Sequence, residues 1–301
     1  MKSILNSEIL ITIKRLALSQ RIYLSKDANL IFVCGASLNT NNGKNARNRF
    51  LDYSKANLPE YDIFTAEKFF DLFRGDADLL TVEDKLGKYS DCIIIFLESP
   101  SAIAELGAFS NNDKLVKQML VINDIEYATA TSFIEKGPLA KVSKQSEFGK
   151  TIYCNMQRSL EAVGEIKQKL VQIKRKYNKG INLKTFEDYS RNTEKSKMLF
   201  LLDLITLLQP VSEKELESIL NVLIGEGSYS IEFDINMLMA VGYITKIDDY
   251  YIKTKAITKM YYIFEKDRSV IKIRSLILSA YRKNDKTRIE KLVKYYEESE
   301  K

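Results

Sequence analysis

Histidine is absent from all 301 residues. Without an imidazole there is no His general base, no Ser–His or Cys–His nucleophile pair, and no zinc site that needs a His ligand. Chemistry falls instead to carboxylates, hydroxyls, Lys, Tyr or backbone dipoles. Cysteine is scarce: Cys34, Cys92 and Cys154 stand far apart, and none forms a CxxC pair. Two of them lie in apolar runs, where a thiol behaves as a small buried hydrophobe. No apolar run approaches the roughly 20 residues that span a bilayer. Glu8, Lys14, Arg15 and Arg21 interrupt the apolar pattern of the first 24 residues and break up a signal-peptide core. The expectation is a cytoplasmic protein with no membrane partner. The net charge of +6 is modest, permitting a nucleic-acid partner without requiring one. What is present, 45% hydrophobic and 29% charged residues, is ordinary for a globular chain, and the length allows two domains.

The stretch DCIIIFLESPSAIAELGAF, residues 91–109, organises the first half. It reads as a buried strand (92–97), a sharp turn and a helix (101–109) with a carboxylate, Glu105, in its opening turn. Before it, SEILITIKRLALSQRIYL at 7–24 has helical apolar spacing, predicting an amphipathic helix packed on the domain that follows. LIFVC at 30–34 suits a central parallel strand buried on both faces. Gly35, Ala36 and Ser37 follow, small residues that let a ligand approach the backbone. The Asn/Gly-rich 39–45 reads as a loop, 46–56 as a helix, 61–64 as a strand, 67–73 and 80–89 as helices. Further strands are expected at 117–122 and 151–154, with an irregular, lid-like 123–138 between them. Strands alternating with helices call for a parallel sheet with helices on both faces. Ligands bind beyond the carboxyl ends of such strands, where strand order reverses. In a flavodoxin-like order that place lies between the first and third strands, lined by 35–37 and 98–105.

A long helix is expected at 161–177, then a segment rich in Lys and Arg to 197, a linker and helix end or a nucleic-acid contact. From 198 the pattern is three helices, the second opened by a Ser212/Glu215 capping box and the third, IEFDINMLMAV, closed by Gly242. A hairpin at 243–253 follows. This order is that of a winged helix-turn-helix. The third helix carries Glu232 and Asp234 but no Lys or Arg, whereas a DNA-reading helix exposes basic or amide groups. Protein docking or backbone contact fits it better. Helices at 256–264, 269–281 and 286–300 complete the chain. The domains are thus 1–156, a sheet domain with its N-terminal helix; 157–196, a basic helix and linker; and 197–301, winged helix and C-terminal helices.

Glu105 has a purely structural reading as an acid favoured by the dipole of a helix's first turn. Three features favour chemistry. Glu98 ends the same strand, Ser99-Pro100-Ser101 forms a turn with free hydroxyls and N–H groups suited to phosphate or ribose, and no histidine is available. The small neighbours Ala104, Gly107 and Ala108 would let the helix approach the sheet. N-glycosidic cleavage suits this set, since a carboxylate beneath the anomeric carbon stabilises an oxocarbenium-like transition state or attacks it. A cationic leaving group such as the nicotinamide of NAD needs no strong general acid.

Asp91, Glu98-Ser99-Pro100 and Glu105-Leu106-Gly107-Ala108-Phe109 resemble the nucleoside deoxyribosyltransferase-like fold. More closely, ESPSAIAELGAFSNN with Phe133-Ile134 and Gly137-Pro138 resembles effector proteins of retron anti-phage systems, which join such a domain to a C-terminal winged helix. The resemblance covers the whole architecture; its specific motifs lie within about residues 30–140. It implies an α/β flavodoxin/Rossmann-like parallel sheet followed by an α-rich winged helix-turn-helix domain. It further implies an NAD-consuming glycohydrolase controlled by the retron reverse transcriptase and its msDNA, an RNA–DNA hybrid. Glu105 matches the catalytic glutamate, and Gly35, Ala36, Ser37, Asp91, Glu98, Ser99 and Ser101 are expected to bind substrate. NAD enters as substrate; no cofactor or metal is expected, and the oligomeric state is left open, a higher-order assembly included. Two other readings stand beside it: a nucleotide-sensing DNA-binding regulator without turnover, and deoxyribose transfer in salvage.

Overall fold

The structure, a computed structural model, describes residues 10–14, 22–23, 28–37, 45–73, 75–76, 78–173, 180–255, 260–262 and 268–298. The chain divides into two compact units, Ala28–Arg175 and, together, Met1–Asp27 with Lys176–Lys301. Residues 10–14 are helical (α1) and Ile22–Tyr23 form a short strand, β1. The continuous helix expected over 7–24 therefore stops before Ile22. A β-branched residue and an aromatic favour extended backbone here, and both pair antiparallel with Gly180–Ile181. This pairing also groups the N-terminal segment with residues after 176, not with the sheet domain expected at 1–156.

The unit Ala28–Arg175 runs β2 (Leu30–Cys34), α2 (Ala46–Asn57), β3 (Asp62–Phe64), α3 (Ala66–Phe70), α4 (Leu79–Tyr89), β4 (Cys92–Phe96), α5 (Pro100–Ser110), β5 (Met119–Asp124), α6 (Ala140–Gln145), β6 (Ile152–Cys154) and α7 (Val163–Leu170). The loop read at 39–45 lies outside the described residues up to Asn45, whose side chain accepts the Asn48 N–H at 2.8 Å and starts α2. All five strands are parallel, in the order β3-β2-β4-β5-β6. Taken in sequence order this is second-first-third-fourth-fifth, the doubly wound flavodoxin order, and it reverses between β2 and β4. Every residue of β2 and of β4 is buried, as a central parallel strand with helices on both faces requires.

The pleat sorts these strands onto two faces. Ile31, Val33, Ile94 and Phe96 point into one core with Phe50 of α2 and Ile166 and Leu170 of α7. Phe32 points the other way, stacked on Phe64 at 5.3 Å and meeting Phe109 of α5 at 6.3 Å. By alternation Cys34 shares that second face with Phe32.

Several boundaries differ from the sequence reading. Leu115–Gln118 form a 3₁₀ turn, so the fourth strand of the sheet begins at Met119. The stretch 123–138 is not irregular: Ile125–Tyr127 make a 3₁₀ turn, and Glu135–Leu139 a π-helical turn that runs into α6. Pro138 lacks the N–H of an α-helical interior and clashes with the preceding turn, which the wider π geometry accommodates. Glu135 anchors the turn to the sheet, accepting from Asn123 Nδ2 at 3.1 Å and from the Tyr153 hydroxyl at 2.6 Å. The long helix read at 161–177 begins earlier, as a 3₁₀ stretch Met156–Ala162 broken by non-helical backbone at Arg158, and α7 ends at Leu170.

The other unit continues with β7 (Gly180–Ile181), α8 (Phe186–Ser190), α9 (Glu194–Leu208), α10 (Glu213–Ile224), α11 (Glu232–Ala240), the strands β8 (Ile244–Ile247) and β9 (Tyr250–Lys253), α12 (Arg268–Asn284) and α13 (Lys286–Glu298). Glu215 reaches back to the Ser212 N–H at 2.9 Å, closing the capping box that starts α10. β8 and β9 form an antiparallel hairpin whose turn places Asp248 at φ 51°. Within α11, Phe233 to Leu238 are all buried, Asp234 included. Glu232 is the exposed residue of α11 and Met239 is half-buried, so the helix presents an acid and no base to solvent. Residues 260–262 are not helical, against the reading of 256–264; the neighbours on both sides lie outside the described residues. The Tyr261 and Tyr262 N–H groups donate to buried Asp203 at 2.9 and 2.7 Å instead of to helix carbonyls. Among the described residues, no helix is long and apolar enough to cross a membrane.

Candidate active site

α5 begins at Pro100, the position where a missing N–H costs nothing, with Ser99 as N-cap accepting the Ala102 N–H at 3.2 Å. Glu105 therefore stands in the second turn, not the opening one, where the helix dipole has largely faded. The dipole does not account for it. Its face does: Ala102, Leu106, Phe109 and Ser110 are the buried positions, and Glu105, three residues after Ala102, lies along the same stripe. Ala104 and Gly107 are exposed, and a Cβ at Gly107 would meet nothing within 4 Å, so these small residues do not serve close packing on the sheet.

Glu105 is partly buried and its Oε2 is buried without a hydrogen-bond partner. Burial first, then repulsion from Glu83 of α4 and from Glu67 of α3, push its pKa up to about 8. Arg47 and a hydrogen bond from the Cys34 thiol pull the other way. Glu105 is thus predominantly protonated at neutral pH. The Cys34 thiol at the end of β2 is itself held far above its ordinary range by burial and by Glu105, so it stays a donor.

Glu98 follows β4 and binds across to α2, the helix that follows the neighbouring strand β2. Its Oε2 accepts the Ala46 N–H at 2.7 Å and its Oε1 the Arg47 N–H at 3.0 Å, so both oxygens cap α2. Gly35 makes room for this: a Cβ there would lie 2.9 Å from Arg47 Cδ and 3.3 Å from Glu98 Oε1. The carbonyls of Ala36 and Ser37 accept from Asn45 Nδ2, and that of Ala36 also from Arg47 Nη1 at 3.1 Å. Ser99 and Ser101 share a hydrogen bond of 2.9 Å between their hydroxyls at the start of α5.

The structure thus places Gly35, Ala36, Ser37, Glu98, Ser99, Ser101 and Glu105 on the segments that follow β2 and β4, at the switch point. Asp91 it does not. Asp91 precedes β4, and its Oδ2 accepts the Leu30 N–H at 2.9 Å, which ties the opposite, amino edges of the two strands together. A strand of this length separates it from the site by roughly 20 Å; it is a structural staple.

Arg47, Glu67, Glu83 and Cys34 are the members that sequence reasoning missed. The buried Arg47 guanidinium grips Glu67 with both Nη atoms, at 2.8 and 2.5 Å. Burial alone would raise Glu67, but the Arg47 bonds outweigh it and hold its pKa below the ordinary value. Burial and the Glu67 charge raise that of Glu83. One signal for Arg47 was available: a cation in the first turn of a helix opposes the dipole and asks for a compensating anion. With Arg47 committed to Glu67, Glu83 and Glu105 are the carboxyl groups of this cluster without a cation of their own, and a positively charged group beside them would favour their ionised forms.

The family described as the STM3845 retron effector protein matches residues 43–246. An Escherichia coli protein, "Retron Ec73 putative ribosyltransferase/DNA-binding protein", is 29% identical over 277 residues, 86% of each chain. A second E. coli protein, "Retron Ec86 putative ribosyltransferase/DNA-binding protein", is 36% identical over 118 residues, 38% of this chain and 37% of its own length. The family match covers more than half of the chain, from just before α2 into β8, and the chain belongs to the STM3845 retron effector family.

Proposed function

We propose that this chain is the toxic effector of a retron anti-phage system, an N-glycosidase that cleaves the nicotinamide–ribose bond of NAD or a related nucleotide through Glu105. The observation that carries the reading is the buried, unpartnered Oε2 of Glu105 at the point where strand order reverses. A polar atom held out of water without a partner is costly unless a ligand uses it. The ribosyltransferase part of both relatives' names points to chemistry at a ribosyl carbon of the same kind.

These two carboxyl groups without a cation of their own support a cationic leaving group. A nicotinamide ring entering beside Glu83 and Glu105 brings a positive charge, lowers the pKa of Glu105 and favours its ionised form. The C1′–N bond then breaks with its electron pair passing to the ring nitrogen, which becomes neutral. Glu105 stabilises the cationic sugar carbon or bonds to it, and water completes the hydrolysis, its proton leaving to a carboxylate or solvent. Nicotinamide and ADP-ribose are the products.

The helices α9 to α11 with the β8–β9 hairpin are read as a winged-helix unit through which reverse transcriptase and msDNA hold the enzyme in control. The relatives' names include DNA binding. The acidic α11 favours docking on a protein or a nucleic-acid backbone over base reading in a groove. The test is purified protein, with and without its partners, incubated with NAD and with deoxynucleosides while base release is measured. Release from NAD that is lost in Glu105→Gln is the expected result. Undiminished release in that variant removes Glu105 from the mechanism, and cleavage of deoxynucleosides but not NAD moves the substrate to deoxyribosyl transfer.

A further inference from the structure

Charge is divided unevenly along the second unit. From the start of α9 to the end of β9 stand ten acids and five bases; from the start of α12 to the end of α13 stand nine bases and four acids. α12 itself has five of those bases and no acid. One side of α12 is fixed to the end of α9. Ile273, Ile277 and Tyr281, a turn apart, are wholly buried, the Tyr281 hydroxyl donates to the Leu208 carbonyl at 2.8 Å, and Arg274 Nη1 donates to those of Leu207 and Gln209 at 2.7 and 2.9 Å. The other side is open: Ile271, Lys272, Ser275, Ser279, Arg282 and Lys283 are exposed and fall within about 120° of the helix circumference. This stripe carries three cations and two hydroxyls and runs about 16 Å from Lys272 to Lys283. Lys286, also exposed, continues it at the turn into α13; Glu290 is the first exposed acid after it.

Neither the helix dipole nor internal pairing accounts for these cations. The dipole favours Arg282 and Lys283 in the last turn of α12, but not Lys272 in its second turn, and it disfavours Lys286 at the opening of α13. Among the described residues none of the four makes an ion pair or hydrogen bond, whereas their neighbours Arg288 and Lys291 are spent on Glu215, Asp285 and Asp248. Resting on the reading above that a nucleic acid is among the partners, and not on the role of Glu105, we propose that the open face of α12, with Lys286, binds the sugar–phosphate backbone of a nucleic acid. Cations and hydroxyls on a rigid helix are the groups that meet phosphate oxygens, and such contacts position a partner without reading its sequence. Successive phosphates of a duplex strand advance about 3.4 Å along its axis, so a face of this length meets several of them. The acid-rich stretch from α9 to β9 repels the same polyanion and is left to protein docking.

The test measures binding of full-length protein to a fluorescently labelled RNA–DNA hybrid of about 20 base pairs, by anisotropy over about 50 to 200 mM salt. Lys272→Gln, Arg282→Gln, Lys283→Gln and Lys286→Gln are compared singly and combined. Lys214→Gln with Lys246→Gln, exposed positions of α10 and β8, serves as the control. Each α12-face substitution is expected to weaken binding and to flatten the slope of log affinity against log salt by about 0.9, the combination by about 3.6, while the control matches wild type. Lys272→Arg and Lys283→Arg, which keep the charge, are expected to keep the slope, and thermal melts of all variants report folding. Wild-type affinity and slope in the combined variant overturn the seat on α12 and leave the nucleic-acid reading standing. No binding of the hybrid by wild type overturns that reading as well. Displacement of the hybrid by polyglutamate as readily as by unlabelled hybrid overturns the nucleic acid in favour of an acidic protein surface.

Discussion

The carboxylate of Glu98, just past the end of β4, closes the N-terminus of α2 by accepting the Ala46 N–H at 2.7 Å and the Arg47 N–H at 3.0 Å. In doubly wound folds that terminus is a natural seat for a phosphate. Here an acid from the neighbouring strand holds it, and the same contact fixes Arg47 for its grip on Glu67. Glu98→Ala leaves two N–H groups without their charged acceptor. It is expected to destabilise the protein by about 1–3 kcal/mol, read as a lower urea midpoint with an unchanged slope.

Glu105 makes stability depend on pH in a definite direction. Its folded pKa of about 8 lies above its ordinary value of 4.5, so between those values the folded state holds a proton that the unfolded chain has released. The contribution is full below pH 4.5 and is lost as pH rises through about 8. Glu105→Gln removes the dependence. The variant's stability advantage over wild type is expected to grow across this window with a slope approaching about 1.4 kcal/mol per pH unit, then level off. Denaturant titrations at pH 5, 6, 7 and 8.5 measure it; a difference independent of pH contradicts the raised pKa.

Asp203 of α9 is 1% exposed and each of its oxygens takes one backbone donor, from Tyr261 and Tyr262. Asp203→Ala strands two buried N–H groups and is expected to cost on the order of 3 kcal/mol. Hydrogen exchange at those two amides should rise well above wild type, while amides of the five-stranded sheet serve as controls.

Arg288 of α13 is 2% exposed, lies 4.4 Å from the ring centroids of both Tyr250 and Tyr281, and donates to Glu215 at 3.0 Å and Asp285 at 3.2 Å. Removing it leaves the capping-box glutamate of α10 beside an empty space. Arg288→Ala is expected to cost about 3–5 kcal/mol. Arg288→Lys should rescue little, because a flat guanidinium stacks on two rings and an ammonium does not. Equal stability of the Lys variant and wild type in thermal melts would show that charge alone suffices.

Much of the scaffold was legible from residue patterns. LIFVC and CIIIFL read as buried strands because burial on both faces demands continuous apolar runs, and β2 occupies the first while β4 takes the second less its last residue. Ser212 and Glu215 announced the start of α10 through chemistry local to four residues. The helix-like spacing of 7–24 misled at Ile22–Tyr23, where a distant strand, Gly180–Ile181, supplies the hydrogen bonds. The Pro138 segment misled for a different reason: a proline usually ends regular structure, and here a π turn absorbs it.

The candidate site was legible only in part. Composition alone directs attention to carboxylates, since a chain without histidine has few other groups for acid–base work. The strand–turn–helix at 92–110 locates Glu98 and Glu105 near a sheet's carboxyl edge through local rules of periodicity and capping. Which of the two stays free was beyond those rules. Glu98 is consumed by α2, 52 residues before it in sequence, and Glu105 is left with a bare oxygen because α5 turns it toward β2. Arg47, Glu67, Glu83 and Cys34 join it only through the strand order 2-1-3-4-5. Electrostatic and hydrogen-bond energies depend on distance in space, and separation along the chain does not set that distance. The sequence alone determined most of the elements and the kinds of side chain available; the tertiary structure decided which carboxylate is spent on capping a helix and which keeps a bare oxygen.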